Sequence, residues 1–500
     1  MNTNYVIVQA GGRGSRMESL TRNKPKALVP VNNLPMIFHL FRKYPDKKYI
    51  IIGDYKYDVL QKYLREFAEV DYRMVSGAGH TGTCAGLSQA LALVPEKERF
   101  LLIWCDLILP DDYQILETGE DVIGISKDFP CRWKYEDGEF VEERSTKQGV
   151  AGLFVFHDKE ALKDVPDDGE LVRWMRDRGL RFQEQGLWHT REYGLFSEWD
   201  KLPKVRCRPF NRVWEEGKKF YKEPIDEQGR KLAAREIAWY RKLQEIHFGN
   251  IPTVYGVSPL CMEKVEGKNI YEYQALSVDF KRGILVRLIE CLRNVHLLDS
   301  IVADRDSYYE AYIGKTFSRL EKVRNLVPFA DDPCIIVNGR KCRNVFYHRE
   351  EVEEKVMRYL PERFSLIHGD CTFSNIMLKN DAIPVLIDPR GYFGTTEMFG
   401  DAAYDWVKLY YSLVGNYDQF NLKNFVLSVE EQEVLIEIAS NQWEELEEDF
   451  FALLREEVTR EQMKLFLAIT WLSLTTYAWE DYDSICGAFY KGIYYLEEVL

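Results

Sequence analysis

Apolar runs alternate with amphipathic stretches through the first two hundred residues. YVIVQA (5–10), KYIIIGD (48–54) and RFLLIWCD (99–106) each carry an unbroken apolar core, the pattern of strands buried on both faces. Between them, PMIFHLFRKY (35–44) and DVLQKYLREF (58–67) repeat apolar residues at helical spacing. AGLFVFHD (151–158) reads as a further strand, and residues 170–178 as a helix. Strands alternating with helices predict an α/β domain with a doubly wound, mostly parallel, Rossmann-like sheet.

The rhythm changes near LPKVRCRPFN (202–211), where prolines and basic residues suggest a linker. RVWEEGKKFYKE (212–223) predicts a hairpin, LAAREIAWYRKLQEI (232–246) a helix, and TVYGVSPLCMEKVEG (253–267) two strands. Beyond this point the pattern is helical apart from SLIHGD (365–370) and PVLIDP (384–389). A small β-rich lobe followed by a large helical lobe resembles the outline of a protein-kinase-like α+β fold. The expected domains are therefore 1–205 and 206–500, the second divided into lobes 206–268 and 269–500. The acidic stretch 428–461 is expected to be a solvated helix face.

At 500 residues the chain is too long for one ordinary core. Its net charge of −14 argues against nucleic acid or an anionic membrane as the main partner. Nucleotides remain compatible, since a few local cations and Mg²⁺ suffice. None of the ten cysteines forms a CxxC pair, so reduced and mostly buried thiols are expected. The first residues run straight into a glycine loop rather than a signal peptide, and no run reaches the ~18 apolar residues of a membrane span. The expected compartment is the cytoplasm. Homo-oligomerisation stays open.

Chemistry concentrates at the two ends of the chain. In QAGGRGSRMESLTRNKPKALVPV (9–31), Gly11, Gly12 and Gly14 follow a buried strand and precede an expected helix. Glycines there let backbone N–H groups approach phosphate oxygens, and a helix N-terminus would add positive potential. Arg13, Arg16 and Lys26 would converge on a triphosphate. The segment resembles the nucleotidyltransferase superfamily that makes activated sugars and activated phosphocholine, whose pattern GGxGxRxxxxTxxxPKxLxPV it matches. The resemblance implies catalytic roles for Lys26 and Arg16, and base recognition around Gly82 and Thr83 in GAGHTGTCAGLSQAL (77–91). It also implies a Mg²⁺ carboxylate at Asp106 and a second metal carboxylate late in the domain. Glu192 is the best match, a Glu where Asp is expected, with Asp200 as a rival.

In SLIHGDCTFSNIML (365–378) stand His368, Asp370 and Asn375, and LIDPRG (386–391) places Asp388 just past a buried strand. This constellation resembles the aminoglycoside phosphotransferase and choline kinase family. By that resemblance Asp370 deprotonates an acceptor hydroxyl, while Asn375 and Asp388 hold Mg²⁺ on the phosphates of ATP. Lys222, or alternatively Lys219, would meet the α/β-phosphates and pair with Glu236. Residues 208–213 would cover the nucleotide and 262–267 would link the lobes. His296 is expected to be structural, and Asp401 and Asp405 to brace the site. Trp471, Tyr477, Trp479 and Tyr482, with Glu480, Asp481 and Asp483, offer either core aromatics or a cage for a quaternary ammonium.

Together the two sites suggest a bifunctional enzyme. One domain would phosphorylate a small alcohol, amino alcohol or sugar with ATP. The other would couple the product to a nucleotide, CTP first and UTP, GTP or dTTP otherwise, for surface polysaccharide or a lipid headgroup. Two active domains on unrelated substrates, or one acting only as a binding or regulatory module, are the rival readings.

Overall fold

The computed structural model describes residues 3–203, 211–273 and 275–500. The expected linker at 202–211, the boundary at 205/206 and the nucleotide-covering loop at 208–213 fall largely on 204–210, outside the described residues. The chain divides into two units: residues up to Pro203 together with Trp479–Asp483, and the remainder.

The first unit is built on a nine-stranded sheet. Its parallel centre is β1 (Tyr5–Gln9), β2 (Lys48–Gly53), β3 (Asp71–Ser76) and β4 (Phe100–Trp104), in the order β3-β2-β1-β4. Tyr5 stands opposite both Lys48 and Phe100 in register. The apolar runs lie here because helices cover this sheet: α1 (Met36–Lys43), α2 (Tyr57–Phe67) and α3 (Leu87–Ala92) alternate with the strands. After the short β5 (Leu107–Ile108) come β6 (Val122–Ser126), the hairpin β7 (Lys134–Glu136) and β8 (Glu139–Val141), and β9 (Gly149–Phe156). Strand β9 runs antiparallel to β4 and β6, so the sheet is mixed around a parallel core. Helix α4 (Leu171–Asp177) leads to β10 (Gln183–Leu187), parallel to β6, and then to β11 (Arg191–Glu192), which pairs with β5.

Trp479–Asp483 belongs to this unit through an aromatic and ionic anchor. The Trp479 ring packs 5.5 Å from Phe38 and 5.8 Å from Phe67, and its carbonyl accepts from the Tyr63 hydroxyl. Buried Lys24 donates to Asp481 at 2.8 Å and to Asp483 at 2.5 Å. Burial alone would depress the Lys24 ammonium, but the two carboxylates hold it charged and above its ordinary value.

The second unit opens with a four-stranded antiparallel sheet of β12 (Asn211–Glu216), β13 (Lys219–Pro224), β14 (Val254–Val257) and β15 (Leu260–Glu263). Helix α5 (Glu227–Glu245), capped by the Asp226 side chain, packs on it. The helical lobe follows, with α6 (Val278–Leu298), the hairpin β16 (Ile376–Lys379) and β17 (Ile383–Leu386), α7 (Ala402–Leu413) and α8 (Arg460–Leu474). The unit has the kinase-like α+β layout.

Two expectations need correction. The helical lobe holds a further four-stranded sheet made from Cys334–Val337, Arg340–Arg343, Phe425–Val429 and Val434–Ile438. Asn338 and Gly339 between the first two strands both have positive φ, as a tight two-residue hairpin turn requires. The acidic stretch 428–461 therefore begins as a β-hairpin, with Val434 and Ile436 buried and Leu435 exposed. Of the two readings of the aromatic segment, core holds for Trp471 and Tyr482, which are buried, and Lys24 engages Asp481 and Asp483.

Of the described cysteines, nine are free and only Cys334 is not buried. Among the described residues no helix is long and apolar enough to cross a membrane.

Replacing Lys24 with Ala would leave two buried carboxylates facing each other. This should lower the stability of the first unit by about 3 kcal/mol. Lys24→Ala/Asp481→Asn/Asp483→Asn should recover most of the loss. A thermal melt in which Lys24→Ala matches wild type would show that the ion triad does not hold the segment.

Candidate active sites in the two units

In the first unit the site is a cavity of about 530 Å³ at the carboxyl ends of the parallel strands, where open α/β sheets bind ligands. Gly11, Gly12 and Arg13 line one side, Gly82 and Thr83 another, and Lys26 and Asp106 the floor. A Cβ at Gly11 would press on Asp54 at 3.0 Å, and Gly14 sits at φ 65°. The expected helix after the glycines is absent. Ser15–Thr21 forms 3₁₀ turns broken at Glu18, whose φ is 53°. Positive potential here comes from side chains: Arg13 and Arg16 are exposed, and Arg13 lies 5.5 Å from the Tyr55 ring.

Gly82 and Thr83 sit in a loop clamped from across the unit. A Cβ on Gly82 would fall 2.3 Å from the Gly169 carbonyl. Asp168 accepts from the Thr81 amide at 2.7 Å and meets His80 at 3.1 Å. The Thr83 hydroxyl accepts from the Leu171 amide at 2.8 Å, and its carbonyl accepts from the Gln9 side chain at 2.5 Å. Both the Thr83 side chain and its carbonyl thus hold the loop, which lines the cavity. Reading residues 77–91 in isolation gives no sign of the Asp168 clamp.

Asp106 ends the turn after β4 and forms an ion pair with Lys26. Its Oδ1 is buried with no hydrogen-bond partner among the described residues. The β5–β11 pairing carries Glu192 to it. Burial, then the Asp106 charge, push the Glu192 carboxyl above its usual range, against the pull of Lys26 and Arg16. Asp200 is exposed beyond the short helix Phe196–Trp199 and makes no side-chain hydrogen bond or ion pair among the described residues. Two crowded carboxylates, one with an orphaned buried oxygen, fit a hard divalent cation such as Mg²⁺.

In the second unit the site forms around the loop after SLIHGD. Asp405 in α7, fully buried, accepts from the amides of His368 at 2.9 Å and Gly369 at 2.7 Å. His296 meets the same carboxylate at 2.9 Å. Burial would raise Asp405, but the His296 hydrogen bond and the His368 backbone amide hold it below its ordinary value. His368 donates from Nε2 to the Ile387 carbonyl at 3.0 Å and accepts the Asp370 amide at Nδ1, 3.2 Å. Both contacts suit the neutral ring that burial favours.

Asp370 then receives Asn375 Nδ2 at 2.8 Å and the Lys408 ammonium at 3.1 Å. The Ile387 amide donates to the Asn375 carbonyl at 3.0 Å, so Asn375 and Asp388 emerge at the same end of the β16–β17 hairpin. Asp388 has φ 53°, and its amide donates to Tyr240 of α5 at 3.0 Å. Lys222 of β13 lies 2.7 Å from Glu236 and 3.0 Å from Asp388, whose charges raise it despite burial. Lys219 instead points at the Tyr255 ring, 5.5 Å away. An amide and two carboxylates converging this way are oxygen donors suited to Mg²⁺. Asp401 does not reach the loop; it caps α7 and accepts from Tyr312 at 2.9 Å.

Residues 6–119 match the model of the MobA-like NTP transferase domain. Residues 210–427 match that of the phosphotransferase enzyme family. The chain carries a nucleotidyltransferase domain and a phosphotransferase domain. Similar relatives of the nucleotidyltransferase domain include the bifunctional protein GlmU of Methanococcus maripaludis, 25% identical over 125 residues, or 24% of this chain and 29% of that protein. UTP–glucose-1-phosphate uridylyltransferase AglF of Haloferax volcanii is 32% identical over 109 residues, 21% of this chain and 43% of that protein. The matches thus span less than half the length of these relatives. Among solved structures, the inositol-1-phosphate CTP transferase of T. maritima is 17% identical, with a TM-score of 0.33 over 39% of this chain and 91% of that one.

The phosphotransferase domain depends on Asp405 in a way that pH should expose. Asp405→Asn keeps the shape but loses a charge that accepts two backbone amides, and should lower the domain's stability by about 2 kcal/mol at pH 7. Since the folded carboxyl titrates below the ordinary aspartate range, this advantage is full above pH ~4 and fades as pH falls further. Melting curves from pH 2 to 7 check this. A gap between wild type and mutant that does not narrow in acid would contradict it.

Proposed function

We propose that the phosphotransferase domain phosphorylates the hydroxyl of a small alcohol, amino alcohol or sugar, and that the nucleotidyltransferase domain then joins the product to a nucleotide. In the first step the acceptor oxygen attacks the γ-phosphorus of ATP, the bond to the bridging oxygen breaks and ADP leaves. Asp370 takes the hydroxyl proton, with Asn375 and Lys408 fixing its carboxylate. Lys222, set by Glu236, meets the α/β-phosphates. In the second step a phosphate oxygen of the product attacks the α-phosphorus of an NTP, and pyrophosphate leaves. Lys26, Arg16 and Arg13 offset the charge that gathers there, Gly11, Gly12 and Gly14 admit the phosphates, and the Gly82–Thr83 backbone reads the base. Mg²⁺, held by Asp106 and Glu192 in one domain and by Asn375 and Asp388 in the other, would supply charge neutralisation on the phosphates.

The observation that carries this reading is that one chain holds both centres with their charged groups already gathered: Lys26 on Asp106, and Lys222 on Glu236 and Asp388. CTP is the first choice of nucleotide, because cytidylyltransferases in the resembled superfamily serve choline-like and polyol-like acceptors. UTP is the next, in line with the name of the Haloferax relative. An NDP-linked precursor of a surface polysaccharide or lipid headgroup is the expected product, made in the cytoplasm.

Asp370→Ala should cut ATP-dependent phosphorylation by about 100-fold or more, yet spare nucleotidyl transfer to an acceptor supplied already phosphorylated. Asp106→Ala should do the reverse, on the order of 100-fold. Mass spectrometry of products from ATP plus one other NTP at a time separates the two half-reactions. Full phosphorylation by Asp370→Ala would refute the assignment of that site.

A further inference from the structure

Beside Asp370 the phosphotransferase domain gathers more positive charge than catalysis at the γ-phosphate calls for. Three cations surround one ring: Lys315 lies 5.6 Å, Lys408 5.7 Å and Arg390 5.8 Å from the centroid of Tyr404. They come from separate elements. Lys408 and Tyr404 share one face of α7, and Arg390 follows β17. Lys315 and Arg319 stand one turn apart on the helix Lys315–Val323. Arg390 is fixed by the hydroxyls of Tyr404 at 2.7 Å and Tyr392 at 2.9 Å, and its amide donates to the His368 carbonyl at 2.9 Å. A Cβ at Gly369 would fall 2.9 Å from Arg390, so the two chains touch. Arg319 donates to the Ser473 carbonyl at 2.5 Å. Arg235 stacks on Tyr392 at 4.4 Å.

The carboxylates acting on this group are Asp370, held by Lys408, and Glu310. Lys315 has no hydrogen bond or ion pair among the described residues. Burial, then the charges of Arg390, Arg319 and Lys408, hold its ammonium well below the ordinary value. The four cations are largely buried, and none of them is sealed from solvent. Like charges brought together in a partly desolvated place destabilise the fold unless an anion joins them.

We propose that the acceptor phosphorylated in this domain is itself an anion, an alcohol whose carboxylate or phosphate is bound by Lys315, Arg319 and Arg390 while its hydroxyl faces Asp370. A quaternary ammonium such as choline would be repelled. The inference rests on the phosphotransfer reading and narrows it to one sign of acceptor charge.

The test titrates the full chain, loaded with ADP and Mg²⁺, with four small probes: glycerol, choline, D-glycerate and glycerol 3-phosphate. The two anions should bind at least ten-fold tighter than glycerol and choline, and the better of them tells carboxylate from phosphate. Lys315→Met/Arg319→Met should weaken the anions at least ten-fold and leave ADP affinity unchanged. Lys315→Met alone should melt at or above the wild-type temperature, whereas a merely structural lysine would lower it. No binding of either anion, equal binding of choline or glycerol, or undiminished anion binding by the double variant would each overturn the proposal. Phosphate transfer is followed in parallel with Asp370→Asn. Anions that bind tightly with no Asp370-dependent transfer would sink the phosphotransfer reading and leave the sign of the pocket standing.

Discussion

The phosphotransferase domain turns on one buried carboxylate. Asp405 accepts the amides of His368 and Gly369 and is held charged by His296. Without it the turn through Gly369, at φ 80°, would have two buried donors with no acceptor, a costly state inside a protein. The turn fixes His368, whose two nitrogens then bind Ile387 and the Asp370 amide. From there the geometry spreads outward, to Asp388 by way of Ile387 and Asn375, and to Arg390 by way of the His368 carbonyl. One interior carboxylate therefore sets the position of groups that arrive from a helix, a loop and a hairpin.

Each centre follows the same electrostatic logic. A lysine meets a carboxylate that would otherwise stand partly buried: Lys26 with Asp106, Lys222 with Glu236 and Asp388, Lys408 with Asp370. Such pairs are weak sources of stability because both partners lose hydration. Their value is positional. On the proposed function, a lysine held at a carboxylate would be placed to meet phosphate oxygens, and a metal ion arriving at the carboxylate would take over its charge. Side chains so placed need little rearrangement as phosphate charge develops in the reaction.

Much of this was legible in the sequence, and the exceptions have a common physical cause. Continuous apolar runs such as those around Ile7 and Ile50 mark buried parallel strands on their own. The spacing of Asp370, Asn375 and Asp388 is a local property of one loop and one hairpin. Contacts made across long separations leave no local trace. Nothing near Lys24 points to Asp481 and Asp483, more than 450 residues away, and nothing near Thr81 points to Asp168. Glu18 breaks the expected helix although the flanking residues favour one, because the glycine turn and Thr21, whose hydroxyl donates to the Gly14 carbonyl, pull the segment tight. The Asn338-Gly339 turn, between the strands Cys334–Val337 and Arg340–Arg343, did carry a local hairpin signal.

The two domains meet their ligands with differently presented charge. Arg13 and Arg16 are exposed at the rim of the nucleotide cavity, where salt screens them and their main effect is to attract phosphate from a distance. Every NTP offers the same phosphates, so such charges cannot choose among nucleotides. On the proposed function, selectivity there would fall to the backbone of the clamped Gly82–Thr83 loop. Of the partly buried cations around Tyr404, Arg390 is fixed by the hydroxyls of Tyr404 and Tyr392. Charge in that setting acts more strongly at short range and discriminates between partners of opposite sign. On the proposed two-step function, choice of the small molecule would then fall to the phosphotransferase domain, and the nucleotidyltransferase domain would receive an acceptor already selected.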